Sequence, residues 1–332
     1  MQNVALIGIA LGKHFFHIHC QDKSGNALLR KKFTRTKLMQ FLVTCPSSVV
    51  VMEACAGAHF MARRISDIGH DVKLISPQFV RPFVKSNKND FIDAEAICEA
   101  ASRPSMRFVQ PRTETQQAMR ALHRVRESLI RDKVKTTNQI HGFLLEFGIS
   151  LPTGDAVIKR LSLVLAEHEI PEYLSRLLMK LHAHYLIEQI TELESELNQS
   201  IKADATAQRI MTIPGVGLIT ASLLSSQLGD GKQFSCSRDF AASTGLVPRQ
   251  YSTGGKSTLL GISKRGDKNL RRLLVQCARS FMMRLEHQQG RLAEWVRKQL
   301  DNKHSNIVAC ALANKLARIA WAITVLQKEY QA

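Results

Sequence analysis

Hydrophobic positions in the first third of the chain fall into short blocks. Val4–Ile9 is a compact apolar run ending at Gly8-Ile9-Ala10-Leu11-Gly12, and His14–Cys20 alternates polar with apolar as a hairpin partner should. Turn formers at Asp22–Asn26 lead to a third strand near Leu28–Phe33, then to a helix over Lys37–Thr44. Ser48–Met52 is a strand of the fully buried kind. Glu53-Ala54-Cys55-Ala56-Gly57 joins it to a helix from about Ala58 to Ile68, and Asp71–Ile75 is a further strand closed by Ser76-Pro77.

From about Gln116 the rhythm becomes almost wholly helical. Residues 116–147 are rich in Arg, Lys, Gln and Leu and lack proline. Leu186, Ile190, Leu193 and Leu197 follow a four-three-four spacing, the seam of a coiled coil, although an ordinary amphipathic hairpin satisfies it as well. Either way the seam invites a second protomer. Met211-Thr212-Ile213-Pro214-Gly215-Val216-Gly217 then precedes a helix over Leu218–Gln227. Such a turn can hold a phosphate on glycine amides and a helix N-terminus, or simply connect two helices. Two periodic helices follow, with core faces at Leu270, Leu273, Leu274, Cys277 and Phe281, and at Leu312, Leu316, Ile319, Ile323 and Leu326. The expected organisation is α/β plus all-α, divided at 1–112, 113–205 and 206–332. Three early strands followed by helix–strand alternation is the order of an RNase H-like fold.

Charge changes this picture more than composition does. Of 332 residues, 45% are hydrophobic and 22% charged, an ordinary balance for a globular protein. Lys and Arg number 46 against 28 acids, a formal charge of +18 spread along the whole chain, which favours a polyanionic partner such as nucleic acid. No apolar run in the sequence approaches the roughly 20 residues that span a bilayer, and no signal-peptide cleavage pattern follows the first strand. The seven cysteines are scattered without a CxxC pair, so neither structural zinc nor a disulfide framework is expected, and a reducing cytoplasm fits.

Two constellations could carry chemistry. Glu53 follows the buried strand Ser48–Met52, while Asp90 and Asp93 stand three apart in Asn89-Asp90-Phe91-Ile92-Asp93-Ala94-Glu95-Ala96, on one helix face. Three such carboxylates can share Mg²⁺, which prefers oxygen ligands and assists phosphodiester chemistry. The plainer alternative makes Asp90 a helix N-cap, Asp93 a first-turn charge, and Glu95 and Glu99 solvated neighbours, and without further context it is preferred. Context comes from the first strand, which in RNase H-like nucleases ends on an essential aspartate. Here Leu6-Ile7-Gly8-Ile9 leads to Ala10. The second constellation is Arg249-Gln250-Tyr251-Ser252-Thr253-Gly254-Gly255-Lys256-Ser257, with the basic stretch Gly261-Ile262-Ser263-Lys264-Arg265-Gly266-Asp267-Lys268 after it. Hydroxyls beside paired glycines and cations suit a nucleophile that attacks phosphate. On residue types alone, a flexible Gly/Ser-rich loop that binds phosphate without chemistry is the preferred reading.

Taken together and in order, these motifs resemble one family over nearly the full length: the DEDD transposases of bacterial insertion sequences called the one-ten and eleven-eleven group, the bridge-RNA-guided recombinases. The landmarks are Ile7-Gly8-Ile9, Val51-Met52-Glu53-Ala54, Asn87-Lys88-Asn89-Asp90-Phe91-Ile92-Asp93-Ala94, Ile213-Pro214-Gly215-Val216-Gly217, Phe240 through Arg249, and Ile262-Ser263-Lys264-Arg265-Gly266-Asp267. The resemblance implies a RuvC-like N-terminal domain, a helical coiled-coil insertion and a mainly helical C-terminal transposase domain with a nucleophilic serine. It implies four Mg²⁺-binding acids, a phosphoserine link to DNA, and a composite site drawn from two protomers of a dimer of dimers. It also implies a structured noncoding bridge RNA that pairs with donor and target DNA. An aromatic content of 6% suits backbone contact better than readout by stacking. By position, Glu53, Asp90 and Asp93 match the second to fourth acids and Ala10 the first, so this chain should be catalytically impaired. Ser252 matches the nucleophile, with Thr253 in reserve, and Arg249, Lys256, Lys264, Arg265 and Lys268 would contact nucleic acid. A Holliday-junction resolvase-like hydrolytic nuclease and a non-catalytic DNA/RNA-binding scaffold are the alternatives.

Overall fold

A computed structural model describes residues 4–85, 87, 89–152, 160–181 and 183–331. Lys88, part of one landmark motif, lies outside the described residues. The chain divides into two compact units, Met1–Gln116 and Gln117–Ala332.

The first unit is built on β1 (Leu6–Leu11), β2 (Phe15–Gln21), β3 (Ala27–Thr34), α1 (Arg35–Thr44), β4 (Val49–Glu53), α2 (Ala58–Ser66), β5 (Asp71–Ile75), α3 (Pro77–Val80), α4 (Asp90–Ala101) and β6 (Phe108–Val109). Its six strands form one sheet in the order β3-β2-β1-β4-β5-β6. β2 pairs antiparallel with β1 and β3 antiparallel with β2, while β1, β4 and β5 run parallel, the mixed α/β arrangement expected of an RNase H-like domain. Parallel central strands are covered on both faces, which explains why β1 and β4 read as unbroken apolar runs. Alternate residues divide between the two sides. Ile7, Ile9, Val50 and Met52 join Leu38, Leu42, Met61 and Ile65 beneath α1 and α2. Val51 and Ile75 meet Ala96, Ile97 and Ala100 of α4, with Leu6, Val49 and Ala10 against them. Gly8 permits this second layer, because a Cβ there would lie 2.4 Å from the Ala94 carbonyl oxygen and 2.6 Å from Cys98 Sγ.

The second unit comprises most of α5 (Glu114–Leu145), then α6 (Leu161–Ala166), α7 (Glu172–Lys180), α8 (Ala183–Lys202), α9 (Ala205–Met211), α10 (Leu218–Leu228), α11 (Ser237–Ser243), β7 (Pro248–Thr253), β8 (Lys256–Ile262), α12 (Lys268–Met283), α13 (Arg291–Leu300) and α14 (Ser305–Leu326). Arg126 on α5 binds Glu194 on α8 at 2.9 Å, and of the four seam residues on α8 only Leu197 is fully buried. The main core gathers Leu270, Leu274 and Phe281 of α12 with Leu312, Leu316 and Ile323 of α14, as their spacing predicts. A smaller cluster forms around Ile140, Leu144, Leu161 and Leu178. Among the described residues α14 is the one helix long and apolar enough to cross a bilayer. Half of its apolar window is buried, however, and it forms the centre of this core.

One expectation is corrected outright. The Gly/Ser-rich segment after Arg249 is no loop: β7 and β8 form a two-stranded antiparallel ribbon, the only strands among the described residues of this unit. Thr253 pairs with Lys256, leaving Gly254 and Gly255 as a two-residue turn with φ of 54° and 76°. Positive φ at both central positions is the type I′ geometry whose twist suits a hairpin, and glycine adopts it without strain.

Candidate active site

The sheet register brings the acidic residues together at the carboxyl ends of β1 and β4. Ile9 pairs with Met52 in parallel, so one step further sets Ala10 abreast of Glu53. On its other side Ala10 pairs with His17 of β2. Ala10, Glu53 and His17 all face α4, since they follow the alternation that points Gly8 and Val51 at that helix.

Above this patch α4 begins. Its N-cap is Asn89, whose side chain accepts from the Phe91 amide at 2.9 Å, so Asp90 and Asp93 stand in the first turn. The plainer reading of Asp90 as the cap is therefore corrected, and its carboxylate is released for other work. Asp90 Oδ2 lies 3.3 Å from Nδ1 of His17, whose ring also meets Phe91 edge-on at 4.6 Å. Glu95 and Glu99 are engaged rather than simply solvated. Arg30 holds Glu95 at 2.7 Å, and Lys85 and Arg103 flank Glu99 at 3.1 and 3.0 Å. The Lys85 hydrogen bond first, with Arg103 behind it, holds the Glu99 carboxyl below its usual pKa.

His17 was missed in the sequence, where His17 and His19 passed as the polar half of an alternating strand. Both are buried against α4, an unusual place for imidazoles, and that inward-facing pair was the available signal. Burial pushes the His19 pKa down, with Arg30 adding to the effect.

Whether these residues fit a divalent metal can be tested directly. Position 10 offers a methyl group where an oxygen ligand is expected, and Asp90 is turned onto His17. Among the described residues no group of three His, Cys, Asp or Glu side chains gathers closely enough to hold a metal ion. The donor set as it stands does not fit.

The ribbon in the second unit and the turn that follows it carry the other predicted residues, all exposed. Strand alternation separates the two candidate nucleophiles. Ser252 faces with Ser257, its cross-strand partner, and with Gln250, whose Nε2 donates to Ser252 Oγ at 2.8 Å. Thr253 lies on the opposite face with Lys256. Arg249 falls at the register irregularity between Pro248 and Gln250. The ribbon is tied down at its base, where Ser263 N–H donates to the Val247 carbonyl at 2.8 Å and Lys264 N–H to Gly245 at 3.1 Å. Lys264 adopts φ of 57°, and Gly245 and Gly266 let the two backbone segments cross: a Cβ on Gly266 would lie 1.8 Å from the Ser243 oxygen. Asp267 then caps α12, accepting from Asn269 and Leu270 at 2.9 and 3.0 Å, so Lys264, Arg265 and Lys268 project from a fixed turn.

Behind that turn Asp267 Oδ2 accepts from Gln227 at 3.1 Å and faces Arg120 at 3.5 Å. Nearby His123 is buried against the Ser222 hydroxyl at 2.9 Å, and burial, reinforced by Arg126 and Arg120, lowers its pKa to about 4. Gly215 has a packing reason to be glycine: with φ of 83°, its missing Cβ would sit 2.9 Å from the Cys277 carbonyl. Gly217, the N-cap of α10, is exposed.

Comparison with known proteins adds a second line of evidence. Residues 207–293 match the family described as Transposase IS116/IS110/IS902 family, and residues 7–149 match a second family described as Transposase. The chain is 73% identical over 326 residues to the transposase for insertion sequence element IS1328 of Yersinia enterocolitica, covering 98% of each. It is 41% identical to a probable family 20 transposase of Pseudomonas aeruginosa, covering 97% of each. The transposase for insertion sequence element IS1111A of Coxiella burnetii is 38% identical, with 100% of this chain and 92% of the relative covered.

Proposed function

Because this chain belongs to the IS110/IS116 family of insertion-sequence transposases, we propose that it is built to cut and rejoin insertion-sequence DNA through a covalent bond to Ser252, a reaction that Ala10 impairs here. The observation that carries this reading is the setting of Ser252: an exposed hydroxyl on a ribbon held at its base, with Gln250 donating to its oxygen. A donor on Oγ occupies one lone pair and leaves the hydroxyl proton free to depart. In the step proposed, Oγ forms a bond to phosphorus, one P–O bond of the DNA strand breaks, the serine proton passes to a base, and the freed oxygen is protonated. Arg249 supplies charge near the base of the ribbon. Lys256, Lys264, Arg265 and Lys268 hold DNA or RNA phosphates.

Glu53, Asp90 and Asp93 occupy the remaining places of the Mg²⁺ site that the family resemblance implies. With Ala10 in the first place the residues present do not make that site, so this form is silent or nearly so while nucleic-acid binding persists on its basic surface. Specificity by a structured noncoding bridge RNA, pairing through the α8 coiled-coil seam, and assembly as a dimer of dimers complete the proposal.

The test is Ala10→Asp. With a cognate RNA, donor and target DNA and Mg²⁺, the restored chain should gain recombination by orders of magnitude and yield a DNA–protein adduct that maps to Ser252 by mass spectrometry. Ser252→Ala should abolish the adduct and Thr253→Ala should not. No gain from Ala10→Asp would refute the assignment of position 10, and an adduct surviving Ser252→Ala would refute the nucleophile. Ala10 itself favours a second reading, a non-catalytic binding scaffold. Full nucleic-acid binding without strand cutting even after restoration would support it.

A further inference from the structure

The second unit contains a groove of about 1000 Å³ whose lining does not include Ser252 or the basic turn after the ribbon. It runs along the uncovered face of α14 and is walled by α11, by Trp295 of α13 and by the base of the ribbon at Pro248 and Leu260 through Ile262. The floor is apolar, with Ile307 and Ile319 from α14. Three cations line it, Arg238, Lys315 and Arg318, and no carboxylate does. Lys315 Nζ stands 4.5 Å from the centre of the Trp295 ring. Burial, and then the neighbouring Arg318, push the Lys315 pKa below its ordinary value.

We propose that the groove takes an unpaired nucleotide of a nucleic-acid strand, the base laid on the apolar floor beside Trp295 and the phosphates held by Arg238, Lys315 and Arg318. Its size is at the upper end for small-ligand sites and suits a nucleotide with its flanking phosphates. A π-face beside cations is how strands are held without sequence readout. The groove is also continuous with the base of the ribbon that carries Ser252, so a strand lying along the ribbon reaches it directly. An acidic amphipathic helix of a second copy would satisfy the charges. It would not account for a cation-flanked indole at the ribbon's foot. The inference needs nucleic acid as a ligand but neither the serine adduct nor the acidic residues, so it stands or falls separately from that chemistry.

The full chain carrying Trp321→Phe retains Trp295 as its one indole, since the sequence has two tryptophans. Titration with a short oligothymidylate at fixed salt should quench that indole, and a duplex of equal length should not. Trp295→Leu should weaken oligothymidylate binding by about tenfold or more while duplex binding stays within about twofold. Trp295→Phe, which keeps a ring, should retain most of the affinity and so separates stacking from misfolding. Arg318→Gln should lower the salt slope of single-strand binding by about 0.7. An unquenched indole, or equal effects of Trp295→Leu on single strand and duplex, overturns the proposal. So does unchanged nucleic-acid binding with a loss of self-association measured by light scattering, which would assign the groove to a second copy.

Discussion

Gly8→Ala tests the packing on which the acidic face depends. The substitution adds one methyl on the α4 side of β1, 2.4 Å from the Ala94 carbonyl oxygen and 2.6 Å from Cys98 Sγ. Ordinary contact begins near 3.4 Å, so α4 must retreat by about an ångström, because one clashing atom is backbone and cannot rotate away. Overpacking of this kind costs about 1–3 kcal/mol, and the backbone clash puts Gly8→Ala at the upper end, about 3 kcal/mol. For a unit of this size that corresponds to a fall in Tm of roughly 10 °C. Calorimetry reads the loss, and amide exchange along Asp90–Ala101 should show it concentrated in α4. Gly142→Ala is the control: Gly142 is exposed on α5 with nothing within 4 Å of the added atom, so there the methyl should stabilise by up to about 1 kcal/mol. If Gly8→Ala melts within about 2 °C of the parent with unchanged protection of α4, the close seating of that helix on β1 is wrong.

Two further predictions concern the second unit. The fold keeps His123 neutral down to about pH 4, while the unfolded chain takes up its proton below about pH 6.5; stability should therefore fall as pH drops through that window, by about 3 kcal/mol. Urea denaturation across that range should show a shallower slope for His123→Gln, and identical slopes would refute the burial argument. Asp267→Ala removes the α12 cap and the carboxylate facing the largely buried Arg120, and should cost about 3 kcal/mol; Asp267→Asn keeps the cap and should cost clearly less. Equal denaturation midpoints for the two variants would show that the cap contributes nothing.

Most of the first unit was legible in the sequence because its core is patterned. Strands buried on both faces leave unbroken apolar runs, and β1, β4 and β5 fall within a residue or two of their expected places. The acids were legible as residue types, but their convergence depends on register, which a single sequence does not state: the pairing of Ala10 with His17 and its place abreast of Glu53 appear only in the sheet. The cap was misread because Asn89 and Asp90 are both good caps and only backbone geometry decides between them. The ribbon escaped for a different reason. Every residue from Arg249 to Gly261 is exposed, so no alternation of buried and solvent-facing positions exists to betray a strand. Its Gly254-Gly255 pair was the available hairpin signal.

The clamp at the foot of the ribbon makes that element a lever. Both strands pass through one fixed crossing, where Val247 meets Ser263 and Gly245 meets Lys264, and beyond it every residue from Arg249 to Gly261 is exposed. Five residues of extended chain put Ser252 about 17 Å from this fulcrum, so a swing of about 15° carries its hydroxyl some 4 Å. The reach of the Ser252 hydroxyl, the nucleophile proposed above, is thus governed by two glycines that never approach it, and the stiffness of their crossing sets how far the serine can travel.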